Sequence, residues 1–229
     1  MLSIVDLLDA GTIGRELAAY ALAAIGKGAS FLVGAQPGGA GKTTVMGALL
    51  NFVPPDVELV AADESELARA RGAPPRCCFI GHEIGRGDYY AYLWGRPLRD
   101  YFAMSRAGHM LATNLHADTV AQAASQICDQ NAVPSDDLAR VNLMFFVQVS
   151  QRGWSIQRRL ASVWEGDGRG PHRQIYGAAD GLRIGDSRLV SGEQIARAGA
   201  VIEQVVAGGA RRIQEVRAVI VQRWSELCP

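Results

Sequence analysis

The chain has 229 residues, and its 23 lysines and arginines balance 23 aspartates and glutamates. This length suits a single domain. The net charge of zero excludes a strongly basic nucleic-acid-binding protein, so no nucleic-acid partner is expected, although local arginine clusters could bind a polyanion. No apolar stretch is long enough to span a membrane, the first residues lack a signal-peptide pattern, and the four cysteines have no zinc-type spacing, which together predict a cytoplasmic protein with reduced thiols.

Hydrophobic periodicity predicts helices and strands in alternation up to residue 130, which is typical of a mostly parallel α/β sheet. The predicted helices cover 12–25, 42–52, 96–107 and 118–130, and the predicted strands begin at Phe31 and cover 57–61, 77–80 and 109–113. An acidic turn is expected at 63–66. Two further strands at 143–149 and 156–165, joined near Gly153, and a third at 172–176 indicate an antiparallel addition to the sheet.

The last part of the chain reads as a helical tail. Residues 177–186 are predicted to form a linker, and Ser191 opens a capping box at the start of a helix. Gly208 and Gly209 separate it from a final helix with an apolar stripe opposite an arginine-bearing face. The sequence therefore predicts a first domain over residues 1–178 and a helical tail over residues 187–229.

The most informative segment runs from residue 31 to residue 44, where an apolar strand pattern is followed by a glycine-rich loop, a lysine and a helix pattern. Backbone N–H groups of such a loop surround phosphates, Lys42 reaches the terminal phosphates and Thr43 is a Mg²⁺ ligand. The usual pattern has glycine where this chain has Gln36, and Gly34 lies two residues earlier, so a wider turn is expected. The predicted nucleotide-binding residues are Pro37, Gly38, Gly39, Ala40, Gly41, Lys42, Thr43 and Thr44.

Nucleotide hydrolysis also needs a carboxylate near Mg²⁺ and a group that activates water, and acids at the ends of neighbouring strands can supply both. Glu83 follows the strand at 77–80, and Asp63 and Glu64 follow the strand at 57–61. The alternative for any one of these acids is a solvated turn.

Two histidines, His109 and His116, flank the strand predicted at 109–113, with His116 at its ligand-facing end. The alternative for each is a structural histidine. Cys77, Cys78 and His82 are a poor metal set, because adjacent residues of a strand point to opposite faces.

These motifs, in this order, resemble the secretion and pilus traffic ATPases, the hexameric motors of type II and type IV secretion and of type IV pilus assembly. The phosphate loop (Walker A) at 36–43 precedes an Asp box at 62–64, a stretched Walker B segment at 80–88 and a His box at 108–116. Segments 145–149 and 159–165 resemble the closing hairpin of the family. The resemblance covers residues 7–176.

The chain departs from the family pattern at several positions. Gln36 replaces the first glycine of the loop, His82 is inserted before Glu83, and Asn114 replaces a threonine of the His box. The acidic pair is Asp63-Glu64 where the family has the reverse order. No counterpart is recognised for the N-terminal domain that contributes arginines to a neighbour's nucleotide in the family.

The resemblance implies a RecA-like P-loop NTPase motor domain that hydrolyses ATP with Mg²⁺. In that reading Lys42 binds the β- and γ-phosphates, Thr43 and Glu83 hold Mg²⁺, and His116 senses the γ-phosphate. Either Asp63 or Glu64 is the base. The implied partners are copies of the chain or a secretion or pilus platform, which would place it in the cytoplasm or at the inner membrane through that partner.

Without arginines from a neighbour, the isolated chain is expected to be a monomer or weak oligomer with slow hydrolysis. The substitute arginines would come from the tail or from the motor domain; the candidates are Arg211, Arg212, Arg217 and Arg223, or Arg86, Arg96, Arg99 and Arg106. Two alternative functions stay open, a nucleotide-binding regulatory or assembly protein with little hydrolysis and a phosphotransferase.

Overall fold

The structure, a computed structural model, describes residues 1–36, 38–70, 77–87, 89–152 and 155–227. Its centre is a sheet of nine strands. The strands are β1 (Phe31–Gly34), β2 (Glu58–Ala61), β3 (Cys77–Ile84), β4 (Tyr92–Leu93), β5 (Met110–Leu115), β6 (Leu143–Arg152), β7 (Ser155–Glu165), β8 (Arg173–Gly177) and β9 (Gly181–Leu182).

The strand order is β2-β3-β5-β1-β6-β7-β8-β9, with β4 paired to the far end of β3. Strand β1 lies between β5 and β6 and is parallel to both. The pairs β6–β7, β7–β8 and β8–β9 are antiparallel. The predicted α/β architecture, a mostly parallel sheet with an antiparallel addition, is confirmed.

Ten α-helices of the described residues cover the two faces of this sheet. They are α1 (Ile4–Asp9), α2 (Arg15–Gly26), α3 (Lys42–Leu49), α4 (Glu64–Ala70), α5 (Arg96–Ala103), α6 (Val120–Ala124), α7 (Ser135–Ala139), α8 (Gly192–Ala207), α9 (Ile213–Gln222) and α10 (Trp224–Leu227). Helix α1 was not expected from the sequence; Ser3 begins it with a capping box.

The hydrophobic core divides between the two faces of the sheet. Phe31 and Val33 of β1 pack in the cluster that contains α1, α2, α3 and the tail helices. Leu32, between them, packs in the cluster formed with α4, α5, α6 and α7. This alternation is what a buried strand with helices on both faces requires. Strand β1, which leads into the phosphate loop, is therefore fixed from both sides.

The tail helices pack into the same core as α2. Val201 and Ile202 of α8 and Val216 and Ile220 of α9 are buried in that cluster. Arg217 of α9 donates to backbone carbonyls that follow α3, with Nη1 at 2.8 Å from the oxygen of residue 51. The predicted helices of the tail are confirmed, while the division at residues 178 and 187 stays a prediction.

Three local expectations are wrong. The segment 177–186 is not only a linker, because β9 pairs with β8 inside it. The acidic turn at 63–66 is the start of α4, since Asp63 Oδ1 accepts a hydrogen bond from the N–H of Glu66 at 2.9 Å and thereby caps the helix. The strand at 77–80 continues to Ile84, with an irregular register between Gly81 and Ile84 where β3 pairs with β5.

Candidate nucleotide site

The phosphate loop joins the buried strand β1 to the first turn of α3. Gly39 and Gly41 have positive φ angles of 73° and 93°, a backbone region that favours glycine, and Gly41 is the N-cap of α3. The loop is fastened to the segment after β5, because Gln36 N–H donates to Asp118 Oδ1 at 2.8 Å. The positive end of the α3 dipole therefore faces this loop, which is the arrangement of anion sites at helix N-termini.

Gly34, two residues before the position at which the usual loop pattern has glycine, lies at a close contact between β1 and its neighbours. A Cβ at this position would lie 2.5 Å from the carbonyl oxygen of Ala117 and 2.8 Å from the ring of Phe146. Only glycine fits where β1 passes so close to the segment that follows β5. The glycine that the loop pattern expects at position 36 is replaced by Gln36, which is exposed.

Lys42 is the buried cation of the site, with 7% of its surface exposed. Its Nζ lies 3.3 Å from the Ala35 carbonyl oxygen, 3.3 Å from His116 Nδ1 and 3.9 Å from Glu83 Oε1. Burial lowers the pKa of Lys42, and the charges of Glu83 and Asp118 partly oppose that shift. For this ammonium group the effect of burial thus outweighs that of its two acidic neighbours.

Glu83 lies near the end of β3, in the part where the pairing with β5 is irregular, and its side chain lies beside Lys42 of α3. Only 7% of the residue is exposed, and its Oε1 atom has no hydrogen-bond partner. Burial raises the pKa of Glu83 above its ordinary value, while Lys42 and His116 oppose this shift. A buried carboxylate oxygen without a donor is costly unless a cation or water binds it.

His116 immediately follows β5 and bridges the loop to the acid. Its Nδ1 lies 3.0 Å from the Gln36 carbonyl oxygen, and its Nε2 lies 3.9 Å from Glu83 Oε1. The structure thus brings together Lys42, Glu83 and His116 at the start of α3. The side chain of His116 is half-exposed.

Asp63 and Glu64 do not join this cluster. They follow β2, which β3 and β5 separate from β1, so three inter-strand spacings place them roughly 14 Å from the loop strand. The pKa of Asp63 is lowered by its hydrogen bonds with Ser65 and with the N–H of Glu66. Glu64 instead lines a separate cavity beside Arg96 and Asp100 of α5.

The remaining predicted residues lie around the loop or away from it. Thr43 and Thr44 occupy the first turn of α3, with Thr43 exposed. His109 lies at the opposite end of β5, buried against the ring of Phe79. Pro37 of the loop and Asp88 of the Walker B segment lie outside the described residues, as does Cys228, while Cys77, Cys78 and Cys128 are free thiols.

The arginines expected to act within the motor domain have other partners. Arg96 pairs with Asp100, Arg106 pairs with Asp137, and Arg99 donates to the Asn131 carbonyl. The guanidinium of Arg86 lies 5.0 Å above the ring of Trp94. Each of these contacts lies outside the phosphate loop.

Sequence reasoning missed Arg158, which does contact the loop. Its Nε and Nη2 atoms donate to the Gly39 carbonyl oxygen at 3.3 Å and 3.2 Å. Arg158 lies on β7, two strands from β1, and only the strand order reveals that proximity.

Asn114 was noted in the sequence only as a departure from the His box. It is fully buried, and its Nδ2 donates to the His82 carbonyl oxygen at 2.9 Å. This hydrogen bond holds the irregular part of β3 just before Glu83. Asn114 therefore helps to set the position of the acid.

Two predicted magnesium ligands near the loop carry oxygen donors of the kind that this ion uses. Thr43 supplies a hydroxyl group and Glu83 supplies a buried oxygen without a hydrogen-bond partner. Mg²⁺ in nucleotide sites uses one or two protein oxygens together with phosphates and water. No group of three or more His, Cys, Asp or Glu side chains suited to a metal occurs among the described residues, and such a group is not needed here.

The fold and the loop together define a class: an α/β protein whose central parallel strand ends in a glycine-rich loop and a helix N-terminus. Two solved structures resemble it. The VirB11 ATPase of the Brucella suis type IV secretion system, solved with sulphate, is 19% identical, with a TM-score of 0.47 over 63% of this chain and 50% of VirB11. The ATPase DotB of Legionella pneumophila is 10% identical, with a TM-score of 0.50 over 95% of this chain and 57% of DotB.

The similarity to DotB shows that the chain has the fold of this ATPase. The predicted resemblance to the secretion and pilus traffic ATPases is confirmed at the level of the fold. The chain spans only about half the length of either structure. No protein-family model matches the chain, and no curated protein matches its sequence. Among the described residues, no helix is both long and apolar enough to cross a membrane.

Proposed function

We propose that the chain is a RecA-like P-loop NTPase that binds ATP with Mg²⁺ and hydrolyses it, like the motor domain of a secretion or pilus-assembly ATPase. One observation carries the proposal. The Nζ of Lys42, at the first position of α3, lies 3.3 Å from His116 Nδ1 and 3.9 Å from the buried oxygen of Glu83. A cation, a carboxylate and an imidazole thus meet at the anion site of the loop.

The charges of this cluster are complementary to a magnesium nucleotide. Phosphates supply the negative charge that buried Lys42 lacks, and so favour its protonated form. A magnesium ion neutralises charge on the phosphates, and Thr43 and Glu83 would hold it. The ion would also stabilise the ionised form of Glu83, whose pKa is raised by burial. His116 would donate to the terminal phosphate or orient the attacking water.

Calorimetric titration with Mg²⁺-ATP tests the binding role of Lys42. Lys42→Ala removes a charge-assisted contact worth about 1.5–3 kcal/mol, so affinity is expected to fall about tenfold to a hundredfold. The matched control is Lys27→Ala, because Lys27 is the other lysine of the chain and donates to the Leu189 carbonyl at the tail. Equal affinities for the wild type and Lys42→Ala would exclude the proposed role.

Single-turnover hydrolysis tests the catalytic role of Glu83. The Glu83→Gln variant keeps the shape of the side chain but loses the anionic ligand, so binding is expected to persist while hydrolysis stops. Glu203→Gln is a suitable control, because Glu203 is exposed and pairs with Arg15 of α2. Turnover by Glu83→Gln at the wild-type rate would show that the acid has been misassigned.

A second candidate function is a nucleotide-binding regulatory or assembly protein with little hydrolysis. The position of β2 favours it, because Asp63 and Glu64 lie at the edge of the sheet and outside the cluster. Either residue remains a proposed base, but it would have to reach the nucleotide from three strands away. Tight binding without product in a single-turnover experiment would establish this alternative.

The proposed partners are further copies of the chain or a secretion or pilus platform at the inner membrane. This part of the proposal rests on the fold shared with DotB and on the order of the sequence motifs. Light scattering at several protein concentrations measures self-association directly. A stable hexamer with rapid turnover from this chain alone would contradict the expectation of a monomer or weak oligomer.

A further inference from the structure

A single π-helical turn, Ser125–Asp129, continues α6 on the face of the sheet opposite α3. The N–H of Gln130 donates to the Ser125 carbonyl oxygen at 3.0 Å, so this hydrogen bond spans five residues instead of four. The wider turn directs its side chains differently from a regular helix, and turns of this kind are frequent at functional sites. The side chain that this turn places against the sheet is that of Gln126.

Gln126 contacts the strand that carries Glu83. Its Nε2 atom donates to the Ile84 carbonyl oxygen at 3.0 Å, just as Asn114 Nδ2 donates to the His82 carbonyl oxygen. The two backbone carbonyls on either side of Glu83 therefore both accept hydrogen bonds from side-chain amides. In a regular ladder, strand carbonyls accept from backbone N–H groups of neighbouring strands. Here side chains help to hold β3 where its pairing with β5 is irregular.

The two amides reach β3 from opposite faces of the sheet. Asn114 alternates along β5 with Ala112, which packs in the core cluster that contains α3. Gln126 precedes Ile127, which packs in the cluster on the other face. The backbone around Glu83 is thus held from above and below the sheet.

The amide of Gln126 is present despite an energetic cost. Its Oε1 atom is buried and has no hydrogen-bond donor among the described residues, which is unfavourable for a polar atom. The N–H group donated to Ile84 is what offsets that cost. The backbone of Gln126 is fixed as well, because Asn131 Nδ2 donates to its carbonyl oxygen at 2.7 Å. Asn131 Oδ1 in turn accepts from the Gly95 N–H at 2.6 Å, at the start of α5.

The same helical segment also contacts the phosphate loop. Gln122 Oε1 accepts a hydrogen bond from the Asp118 N–H at 2.7 Å and lies 3.5 Å from Gln36 Nε2. Gln122 and Gln126 are four residues apart, so one contacts the loop and the other contacts β3 just after Glu83. The segment therefore connects the loop to the strand of the acid.

We propose that Gln126 is a positioning residue of the nucleotide site, which through Ile84 holds Glu83 where its carboxylate can bind the magnesium ion of the nucleotide. This proposal rests on the proposed function, since Glu83 is a magnesium ligand there. Gln126 contacts neither the nucleotide nor the metal and acts only through Glu83.

Calorimetric titration with ATP, over a series of Mg²⁺ concentrations and in EDTA, tests this role. Gln126→Met keeps the length of the side chain and removes the donor. The Mg²⁺ concentration that gives half of the full gain in ATP affinity should rise about tenfold, and single-turnover hydrolysis should slow about tenfold. ATP affinity in EDTA should stay unchanged, because Lys42 and the loop bind the phosphates without Glu83. The matched control is Gln130→Met, an exposed position at the end of the same segment.

A second variant and a double variant separate positioning from a general loss of structure. Gln126→Leu, of different shape, should reproduce the magnesium effect. In the Glu83→Gln background, Gln126→Met should add no further change, because it acts through Glu83. An unchanged magnesium requirement in Gln126→Met, weaker ATP binding in EDTA, or an effect of equal size in the Glu83→Gln background would overturn the positioning role alone. Failure of the wild type to bind ATP, or binding that does not depend on magnesium, would instead overturn the proposed function, and this role with it.

Discussion

Replacing Gly34 by alanine tests the geometry that holds the phosphate loop in place. The added Cβ would lie 2.5 Å from the carbonyl oxygen of Ala117, about 0.9 Å closer than the 3.4 Å at which ordinary contact begins. It would also lie 2.8 Å from two ring carbons of Phe146. Neither neighbour is the free end of a flexible side chain, so β1 must separate from the segment after β5.

Overpacking of this kind typically costs 1–3 kcal/mol, and contact with a backbone atom places Gly34→Ala near the upper end, at about 2–3 kcal/mol. For a chain of this length that corresponds to a fall in melting temperature of about 4–12 °C. The loop should move as well, because Ala35 N–H donates to the Leu115 carbonyl oxygen at 3.2 Å. We therefore expect weaker Mg²⁺-ATP binding together with the loss of stability.

Urea unfolding and calorimetric titration measure the two effects. The control is Gly170→Ala, because a Cβ on Gly170 meets nothing within 4 Å, and a change of less than about 0.5 kcal/mol is expected there. A Gly34→Ala variant that unfolds at the wild-type urea concentration and binds nucleotide normally would refute the close approach of β1 to Ala117.

Two further predictions concern the acids. Because the pKa of Glu83 is raised above its ordinary value of 4.5, Mg²⁺-ATP binding should release protons and should weaken as the pH falls through that raised pKa. Calorimetry in buffers of different ionisation enthalpy measures this proton release, which the Glu83→Gln variant should abolish. If the variant still releases protons, the protons come from another group. Asp63→Ala should destabilise the protein by about 1 kcal/mol by removing the cap of α4, whereas Asp63→Asn should keep the cap; urea unfolding measures this, and equal stability of Asp63→Ala and the wild type would contradict the cap.

The sequence was sufficient to predict the architecture because strongly periodic segments alternate up to residue 130. Each predicted strand there is present within a few residues of its predicted ends. The short elements were missed for a physical reason: α1, β4 and β9 have between two and six residues. Elements of that length are stabilised mainly by tertiary contacts rather than by their own periodicity.

The candidate site was predictable where residues follow one another closely in sequence. Lys42 follows the glycines directly, and His116 follows β5 directly. The position of Glu83 within β3 depends on the irregular register between Gly81 and Ile84 and on the Asn114 hydrogen bond to the His82 carbonyl. Neither feature can be recognised from a sequence pattern. The sequence therefore predicted that Glu83 is near the loop, but only the structure explains why it is.

The strand order decides which of the predicted residues can act together. On one side of β1, β5 is the neighbouring strand and brings His116 to the loop, and β3 is the next strand and brings Glu83 there. β7 lies second from β1 on the other side and carries Arg158 to Gly39. β2 lies third from β1, so Asp63 lies outside the cluster around Lys42. The phosphate loop is therefore contacted from both sides. The arginine that contacts it comes from the antiparallel hairpin, whereas the four motor-domain arginines suggested by the sequence have other partners.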